Sequence, residues 1–306
     1  MPVARIKEKF FQQLSRSKPI MNIYQILIIC LLIVIRLDLE YGEQGTLSRN
    51  SDDEFQMLIA GGILPDFGKF ARNIVSIRTL HFIEFYGDNH FCTGVILSSQ
   101  TILTAAHCVT DRHKSIMNPR GLLVVFGSVE RLEKYQKDES RRVMQILVHP
   151  HYQRYLKYDV SILRLVDRIP GNMRHVKPIT KRKMASVYPG TLCITMGWGQ
   201  LYPHGPYANE LLYLEVIIEP HEFCNEMESY DRDTSICAQP KNKGQVCPGD
   251  LGSPIMCSTY FSGIIGGAQK CEGVKSIKFV NYSKVASWVS NTVGLFSGNC
   301  QICYVA

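Results

Sequence analysis

From about residue 59 onward the sequence predicts an all-β protein, a barrel or a sandwich. Two observations carry this. The apolar stretches are short, rich in Val and Ile, and closed by Gly, Pro, Asn or His, as in Leu122–Phe126 before Gly127, residues 143–148 before Pro150, and residues 214–218 before Pro220. A single segment, residues 284–293 ended by Gly294, reads as a helix. There is no internal repeat and no low-complexity linker.

The first 58 residues are different in kind. Residues 23–35 (IYQILIICLLIVI) form the one strongly apolar run, preceded by Arg5, Lys7, Lys9, Arg16 and Lys18 and opposed there only by Glu8. A basic stretch followed by a short apolar core is the pattern of a secretory leader, whereas a membrane span needs roughly 20 apolar residues. Residues 1–42 are therefore expected to be a leader and 43–58 a propeptide-like segment, with an uncleaved anchor as the alternative. Residues 1–58 carry seven basic and seven acidic side chains, so the whole net charge of +7 belongs to residues 59–306.

Hydrophobic residues make up 45% of the chain and charged residues 20%, which excludes a disordered or collagen-like protein. Eleven cysteines are too many for a typical reduced cytosolic chain, and ten remain once Cys30 leaves with the leader. An even number in an exported chain reads as a disulfide framework. No grouping of the nine histidines suggests a metal, and no cofactor is expected.

Three segments carry chemistry: Leu103-Thr104-Ala105-Ala106-His107-Cys108, Asp159-Val160-Ser161-Ile162-Leu163, and Cys247-Pro248-Gly249-Asp250-Leu251-Gly252-Ser253-Pro254. With Ile59-Ala60-Gly61-Gly62 and Gly197-Trp198-Gly199, their order resembles the chymotrypsin/trypsin family of serine proteases, whose triad runs His, Asp, Ser. The resemblance spans residues 59–293. It implies two antiparallel six-stranded barrels with a short C-terminal helix, and the pairs Cys92–Cys108, Cys193–Cys257, Cys224–Cys237 and Cys247–Cys271. Cys300 and Cys303 are left over in a tail, residues 294–306, where they bridge each other or pair with another chain.

The resemblance breaks where catalysis needs it. Family members read Gly-Asp-Ser-Gly-Gly-Pro in the third motif, and here Leu251 stands at the nucleophile's place. A leucine has neither a lone pair to attack a carbonyl nor a proton for His107 to take. Losing the nucleophile of such a triad costs roughly a millionfold in kcat. His107, Asp159 and Leu251 are thus vestigial triad positions, and Gly249 and Leu251 mark the oxyanion-hole remnant. Ser253, two residues on, is too far displaced to substitute, since misplacement of about 1 Å already costs two decades.

Other departures point the same way. The family's Ser-Trp-Gly is replaced by Gly266-Gly267-Ala268, removing the indole wall. Gln245 stands at the pocket floor and Val280 is expected to replace a wall glycine, so the pocket remnant is Gln245, Gly267 and Val280. Family zymogens are cut after a basic residue, and the new amino group pairs with the Asp beside the nucleophile. Ile59 and Asp250 survive as an activation-site remnant, but Met57-Leu58 precede the cut.

The expected protein is a secreted, extracellular protease homologue without catalysis, similar to the inactive homologues that insects encode in numbers. Its expected role is binding: a cofactor or decoy for an extracellular protease, its substrate or its inhibitor, in immunity or reproductive fluid. The alternatives are a serine endopeptidase with rerouted activity and a basic antimicrobial or glycan-binding protein. For the latter, Lys181-Arg182-Lys183, Arg141-Arg142, and Arg131 with Lys134 and Lys137 are the candidate polyanion contacts. No nucleic-acid motif is present.

Overall fold

The computed structural model describes residues 71–134, 139–179, 187–227, 229–242, 244–267, 271 and 276–297. The leader, Ile59, residues 135–138 and 180–186, Ala268 and the tail with Cys300 and Cys303 lie outside the described residues.

Twelve strands form two closed antiparallel barrels, as the resemblance implies. The first is built from β1 (Ile74–Thr79), β2 (His90–Ser98), β3 (Thr101–Thr104), β4 (Leu122–Phe126), β5 (Ser140–Val148) and β6 (Ser161–Leu165), in the spatial order β1-β2-β3-β6-β5-β4. The second contains β7 (Leu192–Gly197), β8 (Leu212–Ile218), β9 (Ser235–Pro240), β10 (Pro254–Cys257), β11 (Tyr260–Ile265) and β12 (Ile277–Asn281), ordered β10-β11-β12-β9-β8-β7. Closure leaves neither sheet with an open edge.

Each barrel has its own core. Val75, Ile77, Ile96, Val124, Phe126 and Leu163 fill the first, and Leu214, Val216, Ile236, Ile255, Ile265 and Phe279 fill the second. A third cluster joins Val95, Leu103 and Ile162 of the first barrel to Met196, Trp198, Met256, Ile264 and Val280 of the second. This seam explains why β3 is buried at all four positions: one face meets the barrel interior and the other meets the neighbouring barrel.

Among the described residues two α-helices appear where the sequence predicts one. The short α1 (His221–Cys224) follows β8, and α2 (Tyr282–Ser297) follows β12 directly. Asn281 Oδ1 accepts the Ser283 N–H at 3.1 Å and the Ser283 hydroxyl at 2.8 Å, which starts α2 two residues before the predicted boundary. At its other end α2 runs through Gly294, because Phe296 still packs on the seam and on the Arg164 guanidinium. Among the described residues the disulfides are Cys92–Cys108, Cys193–Cys257, Cys224–Cys237 and Cys247–Cys271.

Candidate active site

Adjacent strands deliver the first two triad positions. β3 and β6 pair with Thr104 opposite Ser161, so the chain leaving β3 and the chain entering β6 lie side by side. His107 sits in the 3-10 turn Ala106–Cys108 just past β3, and Asp159 lies two residues before β6. The Cys92–Cys108 bridge, with a sequence separation of 16, pins that turn to β2 and is worth about 3 kcal/mol in the chain-entropy picture.

The pair is fully formed. Asp159 Oδ2 accepts from His107 Nδ1 at 2.5 Å and from the Gly267 N–H at 2.7 Å, while Oδ1 accepts the His107 N–H at 2.9 Å. Burial by itself would raise the Asp159 carboxyl, but the His107 ring and these N–H donors hold it below the usual range. The outer nitrogen, His107 Nε2, is buried and has no hydrogen-bond partner. That is the atom a nucleophile's proton would meet.

Leu251 occupies the turn before β10. Its carbonyl accepts the Thr93 N–H at 2.9 Å, and the Gly249 carbonyl accepts the Thr93 hydroxyl at 2.8 Å and His90 Nε2 at 3.2 Å. A carbonyl can only accept, so His90 carries its proton on Nε2 and takes the Ser76 hydroxyl at Nδ1, 2.8 Å away. Burial, then the nearby Arg131 and Arg78 charges, push the His90 ring well below the ordinary histidine range, so it is neutral. With both carbonyls turned toward β2, the Gly249 and Leu251 N–H groups have no acceptor among the described residues. The Leu251 side chain is half-buried and packs on the cores of both barrels.

Ser253 is fully buried, and its hydroxyl has no partner. It lies only 2.8 Å from where a Cβ on Gly197 would stand, inside the second barrel, and makes no hydrogen bond to His107. Asp250 is also fully buried, accepting the Gly199 N–H at 2.7 Å and the Cys247 N–H at 2.9 Å. Its carboxylate explains the Gly-Trp-Gly motif: a Cβ at Gly197 or Gly199 would stand 2.3 or 2.1 Å from it. Burial pushes this carboxyl up to about 7.

The pocket residues fall into two groups. Gln245 is half-buried with Oε1 unpartnered, and its neighbour Val246 shares the second-barrel core with Ile265, Ile277, Phe279 and the Leu251 side chain. Val280 is not among them. Alternation along β12 turns it to the opposite face, into the seam, so the wall position assigned to it from the sequence is corrected. Its γ-methyl stands 2.8 Å from where a Cβ on Gly266 would be, with Asp159 Cβ at 3.4 Å from the same point.

Sequence reasoning missed Lys278. The hydrophobic neighbours Ile277 and Phe279 gave no hint that a lysine between them would be 1% exposed. Its stem runs past Gly267, with Cδ 3.4 Å from the point a Cβ there would reach. The ammonium donates to Tyr155 O at 2.9 Å, Leu156 O at 2.5 Å and Ser229 O. Burial lowers it to about 8.

The basic clusters are reduced. Arg131 is buried, donating to Gly87 O, to Ala208 O at 2.9 Å and to Tyr207 O at 3.1 Å, so it ties the two barrels together and is not a surface cation. Arg141 is held on Arg168 O and lies over Phe126. Lys137 and residues 181–183 fall outside the described residues. No group of His, Cys, Asp and Glu suited to a metal occurs among the described residues, and no helix there is long and apolar enough to cross a membrane.

Comparison with known proteins agrees with this geometry. The family model described as Trypsin matches residues 69–289. Granzyme B of Rattus norvegicus is 28% identical over 219 residues, covering 70% of this chain and 84% of the relative. Serine protease SP24D of Anopheles gambiae is 26% identical over 236 residues, covering 77% and 81%. Among solved structures, human heparin binding protein superposes with a TM-score of 0.63 at 20% identity, over 80% of this chain and 99% of that one. With two closed barrels, four disulfides and a family match over most of its length, this chain belongs to the trypsin family of serine proteases.

Proposed function

We propose that this chain is a secreted, non-catalytic member of its family that acts by binding a protein partner: an extracellular protease, its substrate or its inhibitor. The observation that carries the reading is Leu251, a hydrocarbon side chain where the family resemblance puts the nucleophile, together with a His107 whose Nε2 has no hydrogen-bond partner. Ser253 offers no rescue, because its hydroxyl is directed toward Gly197. Export is supported by the four disulfides and by the apolar leader-like run at residues 23–35.

Much of the cleft's frame is kept. The His107–Asp159 pair is assembled, and the Gly249 and Leu251 N–H groups are free to receive a carbonyl oxygen. A site of this kind can hold a peptide without cleaving it. A polyanion role draws less support, since Arg131 is consumed inside the protein.

The test uses the purified chain before and after cleavage at Leu58-Ile59, with a broad peptide library and a fluorophosphonate probe. Neither form should turn over peptide or take up label. Turnover, or labelling lost in Ser253→Ala, would overturn the proposal.

A further inference from the structure

Asn281-Tyr282-Ser283 is the one Asn-X-Ser/Thr triplet in the chain, and its middle residue is not proline. None of the chemistry described above uses it. The triplet lies at the junction of β12 and α2, with Asn281 as the last residue of the strand and Ser283 exposed on the first turn of the helix. The chain is fixed there: the Asn281 N–H donates to Thr234 O at 2.9 Å, and Tyr282 packs edge-on to Phe261, 4.9 Å between ring centres.

The Asn281 amide is engaged on one side only. An N–H can only donate, so the Ser283 N–H, together with the Ser283 hydroxyl, settles that the amide oxygen is turned toward α2 and the nitrogen away from it. Nδ2 makes no hydrogen bond among the described residues and, in a half-buried residue, stays open to water. Across the ladder the partner on β11 is Gly263, which has no side chain to crowd it. A substituent on Nδ2 therefore displaces no hydrogen bond, and both bonds that start α2 are kept. Asn89 shows the opposite case, with its Nδ2 donating to Thr79 O at 2.6 Å.

We propose that Asn281 carries an N-linked oligosaccharide, added as the chain is exported; the proposal rests on the export argued above. In the transfer, Nδ2 attacks C1 of the reducing-end N-acetylglucosamine of an oligosaccharide held on a lipid diphosphate. The C1–Nδ2 bond forms and the C1–O bond to the diphosphate breaks. The lipid diphosphate leaves with the electron pair, and the amide nitrogen gives one of its two protons to a base of the transferase. Transfer precedes folding, so the folded protein has only to tolerate the sugar, and the free Nδ2 is what lets it do so. The glycan covers the end of β12 and the exposed start of α2 at Ser283 and Lys284, which leaves a protein partner to dock on other faces.

Expression of the full chain in secreting eukaryotic cells, with peptide-N-glycosidase F digestion of medium and cell fractions, tests this. The wild type should lose one step of apparent mass on digestion, with Asn281 converted to Asp in its peptide. Asn281→Asp, which keeps an oxygen to cap α2, and Ser283→Ala should each migrate with the digested wild type, while Ser283→Thr should keep the shift. Wild type in the medium that digestion leaves unchanged would overturn the proposal and leave export standing. Chain retained in the cell with the glycan would support the proposal and overturn secretion, and chain retained without it would overturn both. A shift that persists in Asn281→Asp would put the sugar on another residue and overturn the proposal as well.

Discussion

The γ-methyl of Val280 lies 2.8 Å from the point to which a Cβ on Gly266 would project, and only a glycine fits between that methyl and Asp159. Val280 is β-branched and sits on a paired strand, so its side chain cannot swing aside. A side chain at residue 266 and the valine behind it therefore exclude one another. Gly266→Ser should destabilise the protein by about 1–3 kcal/mol. Gly266→Ser/Val280→Ala should recover most of that loss. Denaturant midpoints of the two variants decide it, and equal loss in both would show that the clash is not with Val280.

Leu251→Ser tests what the cleft retains. The His107–Asp159 pair is in place and both oxyanion donors are free, so the variant should react with a fluorophosphonate probe where the wild type does not. Peptide turnover should remain poor, because Gly267 supplies no indole wall and Lys278 runs beneath it. Efficient turnover would mean that only the nucleophile separates this chain from an enzyme.

Lys278 holds three main-chain carbonyls together. Lys278→Met keeps the stem and removes all three bonds, at a cost of about 1–3 kcal/mol in total, since Tyr155 and Leu156 are open to water. The expected result is a lower melting temperature together with faster amide exchange in residues 153–158. Unchanged exchange there would show that the lysine does not anchor that segment.

The buried Asp250 makes stability depend on pH in an unusual direction. Its carboxyl titrates near 7 when folded and at the ordinary 3.8 when unfolded, so the folded state binds the extra proton between those values. The contribution is fully present below 3.8 and is lost as pH rises toward about 7, by about 4 kcal/mol at most. Wild type minus Asp250→Asn, followed by thermal melts across this window, should show the decline. A flat difference would indicate a cation already paired with the carboxylate.

His149 works at the acid end. It stacks on Tyr158 at 4.3 Å and meets Trp288 edge-on at 4.9 Å, and burial, then His151, lower its ring to about 4. The unfolded chain takes up a proton near 6.5 and the folded chain does not, so stability falls as pH drops from 6.5 to about 4. His149→Phe keeps the stacking without the titration, and its melting temperature should fall less than that of the wild type over this range.

The strands were legible from the sequence because apolar runs closed by turn residues mark elements such as β4, while their closure into two barrels, rather than a sandwich, was legible only through the family resemblance. His107, Asp159 and Leu251 were legible because each sits in a local motif whose residues are contiguous. What was hidden depends on which face a strand residue takes. Val280 and Lys278 lie two apart on β12, and neither sequence signal nor hydropathy tells that one closes the space behind Asp159 while the other reaches the carbonyls of Tyr155, Leu156 and Ser229. Arg131 misled for a similar reason. A basic residue in a polar stretch reads as surface, and the carbonyls that bury it come from Gly87, Tyr207 and Ala208, distant in sequence.

Thr93 grips the loop of the second barrel at two points, through Leu251 O and Gly249 O, and neither grip involves the side chain at residue 251. The mutational consequence is a decoupling. A lineage can exchange the reacting atom without loosening the joint between its two halves, because on this loop the fastening is made of peptide carbonyls that every residue carries. The side chain at residue 251 is therefore a choice that folding leaves open, and the loops around it vary without putting the attachment at risk.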